Sequence, residues 1–166
     1  MFTSGLLIDG LIYSGGFALI ILVSVLINPR IWLQDFPEDI KKDVPPKSRK
    51  EARQTFVTGF LFALFIVGYP MFSVAGKFAG VEGHVLFSQM FLHSFYVMMI
   101  CNILYWLIFH ILIFNVVIGY VRKVPGLKRT FQFTGWKNQI FGLFVGVASC
   151  LLISAFVAMV AGFFLK

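Results

Sequence analysis

The chain has 166 residues, of which 59% are hydrophobic and only 13% are charged, and its mean hydropathy is +0.89. A water-soluble domain would carry about 25% charged residues, and one small core could not bury 21 phenylalanines. The composition therefore excludes a soluble globular domain and predicts an all-α polytopic membrane protein, a single domain with four transmembrane helices. The net charge of +7 does not indicate nucleic-acid binding, because the basic residues lie beside apolar runs, where they would meet lipid headgroups.

Four apolar runs are long enough to cross a bilayer, whose hydrocarbon core of about 30 Å needs ~20 residues of α-helix. They cover residues 6–27, 56–75, 85–118 and 140–165. Helices are expected because a helix satisfies its backbone hydrogen bonds within its own segment, as lipid requires. The first run is not expected to be a cleaved signal peptide, since no Lys or Arg precedes it and Asn28-Pro29-Arg30 follows it as a helix stop.

The basic residues of the loops predict the orientation of the helices. Residues 28–54 contain seven Lys or Arg and residues 119–138 contain five, whereas residues 76–84 contain only Lys77. Cytoplasmic loops carry the excess of basic residues. The first and third loops are therefore expected in the cytoplasm, with both termini outside and the protein in the plasma (inner) membrane.

The first run contains one acid and several small residues. Asp9 lies about one turn inside the run, and an acid within a span is costly and marks a functional site by default. A side chain this close to the end of a run can also reach water, which weakens that inference. Gly10, Ser14 and Gly15 give the run a small face, which allows a neighbouring helix to approach closely.

The stretch LINPRIWLQDFPEDIKK, residues 26–42, is interpreted as a segment lying along the cytoplasmic membrane surface. Trp32 is of a type favoured at the membrane–water interface, and Arg30 is expected to face the lipid headgroups. Asp35 is placed to cap a short helix, whose first turn would contain further acids. A catalytic loop is the alternative interpretation. Further along, the sequence SRKE at residues 48–51 matches a capping box and predicts the start of the second helix.

The third run carries most of the polar side chains that chemistry could use. Gln89, His93 and Tyr96 share one helical face near the outer end of the run. Asp9 should lie at a similar depth, turn inward and find a donor, for which His93 is the natural candidate. A carboxylate beside a histidine favours the imidazolium, so these four residues form a candidate proton or cation site. The alternative is a water-reachable Asp9 and a structural His93.

The third run is also longer than a bilayer is thick. As one helix, residues 85–118 would extend about 50 Å against a core of ~30 Å. Its apolar end needs cover, which the 28–42 stretch or a second subunit is expected to supply. The cytoplasmic interface predicted in this way consists of Arg30, Trp32, Asp35, His110 and Asn115.

A metal or haem bound by histidines is disfavoured. His93 and His110 are 17 residues apart, or about 25 Å along a helix, so they cannot bind the same ion. No other run offers a histidine as a second haem ligand. Cys101 and Cys150 occur without a CxxC pattern and are expected to be buried. The chain contains no GxSxG, HExxH, Walker A or GxGxxG motif, so the cofactor, if any, is unknown from the sequence.

Two functional classes follow. The preferred one is a non-catalytic subunit or scaffold of a membrane complex, because no convergent catalytic set is visible. Its partners would be membrane lipids and either other membrane subunits or a second copy of the chain. The small face formed by Gly142 and Gly146 suits such helix packing. The alternative is a small membrane enzyme or transporter that acts on a lipid-like or ionic substrate through the interior polar residues of the third helix.

Overall fold

The computed structural model describes residues 4–35, 44–81, 85–106 and 136–164. In chain order these form α1 (Ser4–Ile27), a 3₁₀ helix (Pro29–Asp35), α2 (Arg49–Phe78), α3 (Phe87–Leu104) and α4 (Trp136–Phe164). Four helices are long and apolar enough to cross a membrane, with the apolar part of α4 beginning at Ile140. The predicted all-α class is confirmed for these four ranges of the chain.

Local signals set the helix ends. α1 stops at Ile27, one residue before Asn28, whose helical conformation is disfavoured by the proline that follows it. α2 begins after Ser48, whose hydroxyl accepts a hydrogen bond from the Glu51 backbone N–H at 3.3 Å. The Glu51 carboxylate accepts one in return from the Ser48 N–H at 2.7 Å. The predicted capping box is therefore confirmed.

α2 continues through Pro70 instead of ending there. Proline has no backbone N–H, so Pro70 leaves the carbonyl of Ile66 without its usual helical partner. The Tyr13 hydroxyl, from α1, donates to this carbonyl at 3.3 Å. The Tyr13 ring is buried and stacks on Phe65 and Tyr69, with both centroid distances at 5.4 Å. A tyrosine of the neighbouring helix thus supplies the hydrogen bond that the proline removes.

α3 packs most extensively against α4 and α1, and a glycine permits its approach to α1. A Cβ added at Gly10 would lie 2.6 Å from Cδ1 and 2.9 Å from Cβ of Ile100. An added Cβ at Gly15 would have no atom of the described ranges within 4 Å. The small face predicted for the first run therefore makes its close contact at Gly10 and not at Gly15.

α4 approaches α3 through the two glycines of its GxxxG pattern. A Cβ at Gly142 would lie 2.6 Å from the Trp106 ring, and one at Gly146 would collide with the side-chain amide of Asn102. These contacts confirm the predicted packing role of the small face on the fourth run.

Large apolar side chains cover the outside of the helices. Phe56 and Phe72 on α2, and Leu152 and Phe163 on α4, are each 72–74% exposed. An apolar surface of this extent is unfavourable in water and matches what a helix presents to lipid or to another membrane helix.

Some predicted features fall outside the described ranges. They include the end of the third run, with His110 and Asn115, and the short helix expected after Asp35. Asp35 itself ends the 3₁₀ helix. The described part of the third run is α3, which ends at Leu104.

The contact at Gly10 leads to the first prediction. Gly10→Ala places a methyl group against Ile100 and should lower the free energy of unfolding by about 1–3 kcal/mol, the usual cost of overpacking. Gly15→Ala, in the same helix, should leave it unchanged or raise it by up to ~1 kcal/mol through helix propensity. Thermal unfolding of the purified protein in detergent compares the two. Equal effects of both changes would contradict the close α1–α3 contact.

Candidate functional site

Three polar side chains from three helices meet between α1, α2 and α3. The Ser73 hydroxyl lies 2.8 Å from Asp9 Oδ2, to which it donates, and 2.8 Å from His93 Nε2. Asp9 Oδ2 and His93 Nε2 are 3.6 Å apart, which is too far for a hydrogen bond. Ser73 therefore bridges the carboxylate and the imidazole. These three residues are called the Asp9–Ser73–His93 cluster below.

The cluster lies near one end of the helices. Asp9 is the sixth residue of α1, His93 is the seventh of α3, and Ser73 lies five residues before the end of α2. Each is therefore about 8–9 Å from a helix end. Ser73 and His93 are buried, whereas the Asp9 side chain is 33% exposed. The cluster is thus open to its surroundings through the carboxylate alone.

The single hydroxyl proton of Ser73 links the protonation of its two neighbours. When Asp9 is ionised, Ser73 donates to it and accepts from the Nε2–H of His93. With a protonated Asp9, the carboxyl group donates to Ser73, which then donates to an Nε2 without hydrogen. An imidazolium with a carboxylate and a neutral imidazole with a carboxylic acid contain the same number of protons. A proton can therefore move between the two ends through the hydroxyl, or leave the cluster altogether.

The surroundings of the cluster are mainly apolar. The Phe78 ring meets the His93 ring edge to face, with centroids 5.9 Å apart at 82°. Met90, one turn before His93 along α3, and Val74, next to Ser73 in α2, are buried in one hydrophobic core. The nearest basic residue along α2 is Lys77, one turn after Ser73, and it is exposed. This arrangement buries the His93 imidazole and leaves the Asp9 carboxylate partly exposed.

Of the four residues predicted as an outer polar cluster, the structure brings Asp9 and His93 together. Gln89 is exposed, and its Oε1 accepts a hydrogen bond from the Leu86 backbone N–H at 3.1 Å, at the start of α3. The Gln89 side chain thus satisfies its own helix end, apart from the contact between Asp9 and His93. Tyr96 is half-buried and packs against a hydrophobic core.

Sequence reasoning does not single out Ser73. A serine in a helix often bonds a carbonyl of its own helix, as Ser14 does with Gly10 at 2.6 Å and Ser149 with Val145 at 2.9 Å. The available signal is its position in the second run, where it is the only serine, threonine, amide or charged residue between residues 58 and 77.

A second polar site connects the 3₁₀ helix to the start of α2. Arg30 is only 5% exposed. Its Nη2 donates to the carbonyls of Pro45 at 2.6 Å and Pro46 at 3.2 Å, and its Nε lies 2.7 Å from Glu51 Oε1. The expectation that Arg30 faces lipid headgroups is therefore wrong. A buried guanidinium must be paired, and a carboxylate with two carbonyls supplies its partners.

Further contacts hold the 3₁₀ helix against α1 and α2. The Trp32 indole Nε1 donates to Ser24 Oγ at 2.7 Å, and its ring packs edge to face on Phe62 with centroids 5.6 Å apart. Lys47 Nζ donates to the Ile31 carbonyl at 2.9 Å. These contacts give the segment a structural role at the helix ends and offer nothing in favour of a catalytic loop.

The ligand set of the cluster is smaller than that of a zinc site. In the described part of the chain, no three His, Cys, Asp or Glu side chains come together as a metal site. Asp9 and His93 are two strong ligands, whereas zinc sites use three or four from the protein. Cys101 and Cys150 are buried free thiols in a hydrophobic core.

The fold and the cluster together describe an all-α protein with helices of membrane-spanning length and a polar site between them. The chain is all-α over its described ranges, with four helices long and apolar enough to cross a membrane and a carboxylate–hydroxyl–imidazole cluster between three of them. No protein-family model, curated protein or solved structure matches this sequence or its fold. Function must therefore be inferred from the chemistry of the site.

The bridging role of Ser73 can be tested by mutant cycles. Ser73→Ala should lower the free energy of unfolding by about 1–2 kcal/mol, because it leaves a carboxylate and an imidazole without their shared partner. Asp9→Asn and His93→Gln should show a coupling energy above ~0.5 kcal/mol in thermal unfolding. Ser149→Ala is the control, since that exposed serine bonds only within its own helix. Additive effects at Asp9 and His93 would contradict an energetically linked cluster.

Proposed function

We propose that this protein is an integral membrane transporter in which the Asp9–Ser73–His93 cluster binds and releases a proton as a lipid-like or ionic substrate moves. The observation that carries the proposal is the convergence of three polar side chains from three helices within 3.6 Å. Ionisable residues inside membrane spans are expensive, and where they occur they mark proton relays and ion pathways.

The membrane location is supported by four helices of sufficient length and apolarity and by the large apolar side chains on their outer surfaces. The seven basic residues at 28–54 and the five at 119–138 favour a cytoplasmic location for those loops. Both termini then lie outside a plasma or inner membrane, and the exposed edge of Asp9 faces the outer side. A proton would enter the cluster from that side.

The charge of the cluster gives a mechanism for coupling. With two protons shared between carboxylate and imidazole, the cluster is neutral overall, and with one it carries a negative charge. Each of its three side chains belongs to a different helix. Gain or loss of a proton therefore changes the hydrogen bonds that connect α1, α2 and α3. A ligand that favours one arrangement of these helices would therefore change proton binding, and proton binding would change its affinity in return.

The interpretation as a non-catalytic subunit or scaffold stays a prediction. The apolar faces of the helices would contact lipid and a partner subunit equally well. The cluster favours the transporter, because a subunit that only packs against partners does not need a carboxylate beside a buried imidazole.

The proton site predicts a pH-dependent stability that depends on both ends of the cluster. The thermal midpoint of the wild-type protein should change stepwise with pH, because folding alters proton binding at the cluster. Asp9→Asn and His93→Gln should each shift or shrink that step, because one titratable group of the cluster remains, and the double variant should remove it. His110→Gln, which removes another histidine of the chain, should preserve it.

Repeating the same experiment in NaCl and in choline chloride shows whether the cluster binds only a proton or binds Na⁺ in exchange for one. A step that moves with Na⁺ assigns cation–proton exchange to the cluster, and a step that stays assigns the proton alone. A step that survives both Asp9→Asn and His93→Gln would overturn the proposal.

The orientation predicts opposite labelling at two exposed positions. A membrane-impermeant maleimide should label Val81→Cys in intact cells, and Lys50→Cys only after the cells are opened. Both native cysteines are buried and should give little background. Val81 is 53% exposed and Lys50 is exposed, so neither change disturbs the core. The reverse labelling pattern would invert the orientation.

A further inference from the structure

An apolar groove lies between α1 and α2, at the end away from the Asp9–Ser73–His93 cluster. Its volume is about 550 Å³. Aliphatic side chains from both helices form most of its walls, and one arginine lies at the side nearest the start of α2. The residues that matter here are Leu19, Val23, Ile27, Arg53, Val57 and Leu61.

The groove exists because the packing between the two helices changes along their length. In the middle, aromatic rings fill the space, as in the pairs Tyr13–Phe65 and Phe17–Phe62, with centroids 5.4 Å and 4.7 Å apart. Between Phe62 and Gln54, the side chains of α1 and α2 that line the groove are aliphatic or small. They are too short to close the gap, so an open apolar surface remains.

The mouth of the groove is positively charged. Arg53 is exposed, and among the side chains that the structure describes no acid forms an ion pair with it. Glu51, the only acid in the first turn of α2, is paired with the buried Arg30. A basic mouth above an aliphatic groove is complementary to a molecule with an anionic head and a hydrocarbon tail.

We infer that the groove binds one acyl chain of an anionic phospholipid, with the lipid phosphate at Arg53. From Arg53 to Leu61 the groove follows α2 for eight residues, or about 12 Å, which places the charge at headgroup depth and the aliphatic walls in the hydrocarbon. This inference depends on the proposed membrane location but not on the proton site. A chain that purified without detergent would contradict the location itself, whereas the experiment below tests the lipid site.

The test compares two lipids that differ only in headgroup charge. The purified protein in mild detergent is incubated with phosphatidylglycerol or phosphatidylcholine of identical acyl chains, and bound lipid is counted by native mass spectrometry. Wild type should retain more phosphatidylglycerol. Arg53→Gln should lower the ratio about fivefold, which corresponds to about 1 kcal/mol per basic residue near an anionic headgroup. Leu61→Trp should reduce the adducts of both lipids by filling the groove.

Two matched controls test whether lipid binding depends on the groove residues themselves or on any exposed base or leucine of α2. Arg49→Gln removes an exposed base that does not line the groove, and Leu64→Trp changes a leucine of α2 that is 54% exposed, against 55% for Leu61. Both should bind lipid as wild type does. Equal loss with Arg49→Gln, or unchanged adducts with Leu61→Trp, would overturn the site. So would a bound second polypeptide that Leu61→Trp displaces. Circular dichroism checks the fold of each variant, and Leu61→Phe replaces Leu61→Trp if that variant does not fold.

Discussion

The antiparallel register of α1 and α2 is the constraint on which the polar cluster depends. It is set in the middle of the two helices, where Tyr13 stacks on Tyr69 and its hydroxyl satisfies the carbonyl freed by the proline of α2. Four residues back along α1 is Asp9, and four residues forward along α2 is Ser73. These two are hydrogen-bonded at 2.8 Å. A register set by aromatic packing and one backbone hydrogen bond therefore brings a carboxylate to a hydroxyl that its own helix leaves free to bond elsewhere.

The same register continues to the other end of the helices. Asn28 lies fifteen residues after Tyr13, Gln54 lies fifteen residues before Tyr69, and their side chains are hydrogen-bonded at 3.0 Å. Between this pair and the aromatic centre, the residues that line the gap are mostly aliphatic, which leaves the groove. The cluster and the groove are thus consequences of one pairing of α1 with α2. The cluster forms where polar side chains face each other, and the groove forms where the facing side chains are short.

The two ionic sites differ in the partners that their charged groups meet. The Arg30 guanidinium meets the Glu51 carboxylate and two backbone carbonyls, and its position next to the chain turn makes it a structural connection. Ser73 instead joins Asp9 to His93, and a serine hydroxyl can reverse the direction of its hydrogen bonds. An arginine paired with one carboxylate holds one charge state, whereas a carboxylate and an imidazole joined by a hydroxyl can hold different numbers of protons. That difference is why chemistry is assigned to the cluster and not to the arginine.

Sequence alone was sufficient for the four apolar helices, the stop after α1 and the capping box of α2, because these depend on hydropathy over ~20 residues and on hydrogen bonds within one turn. It also suggested Asp9 and His93 as partners, since an acid in an apolar run needs a donor at its own depth. It could not show that Ser73 bridges them, that Gln89 turns to its own helix end or that Arg30 is buried. Those outcomes depend on the rotation and register of one helix against another, and the pattern within a single run does not encode them.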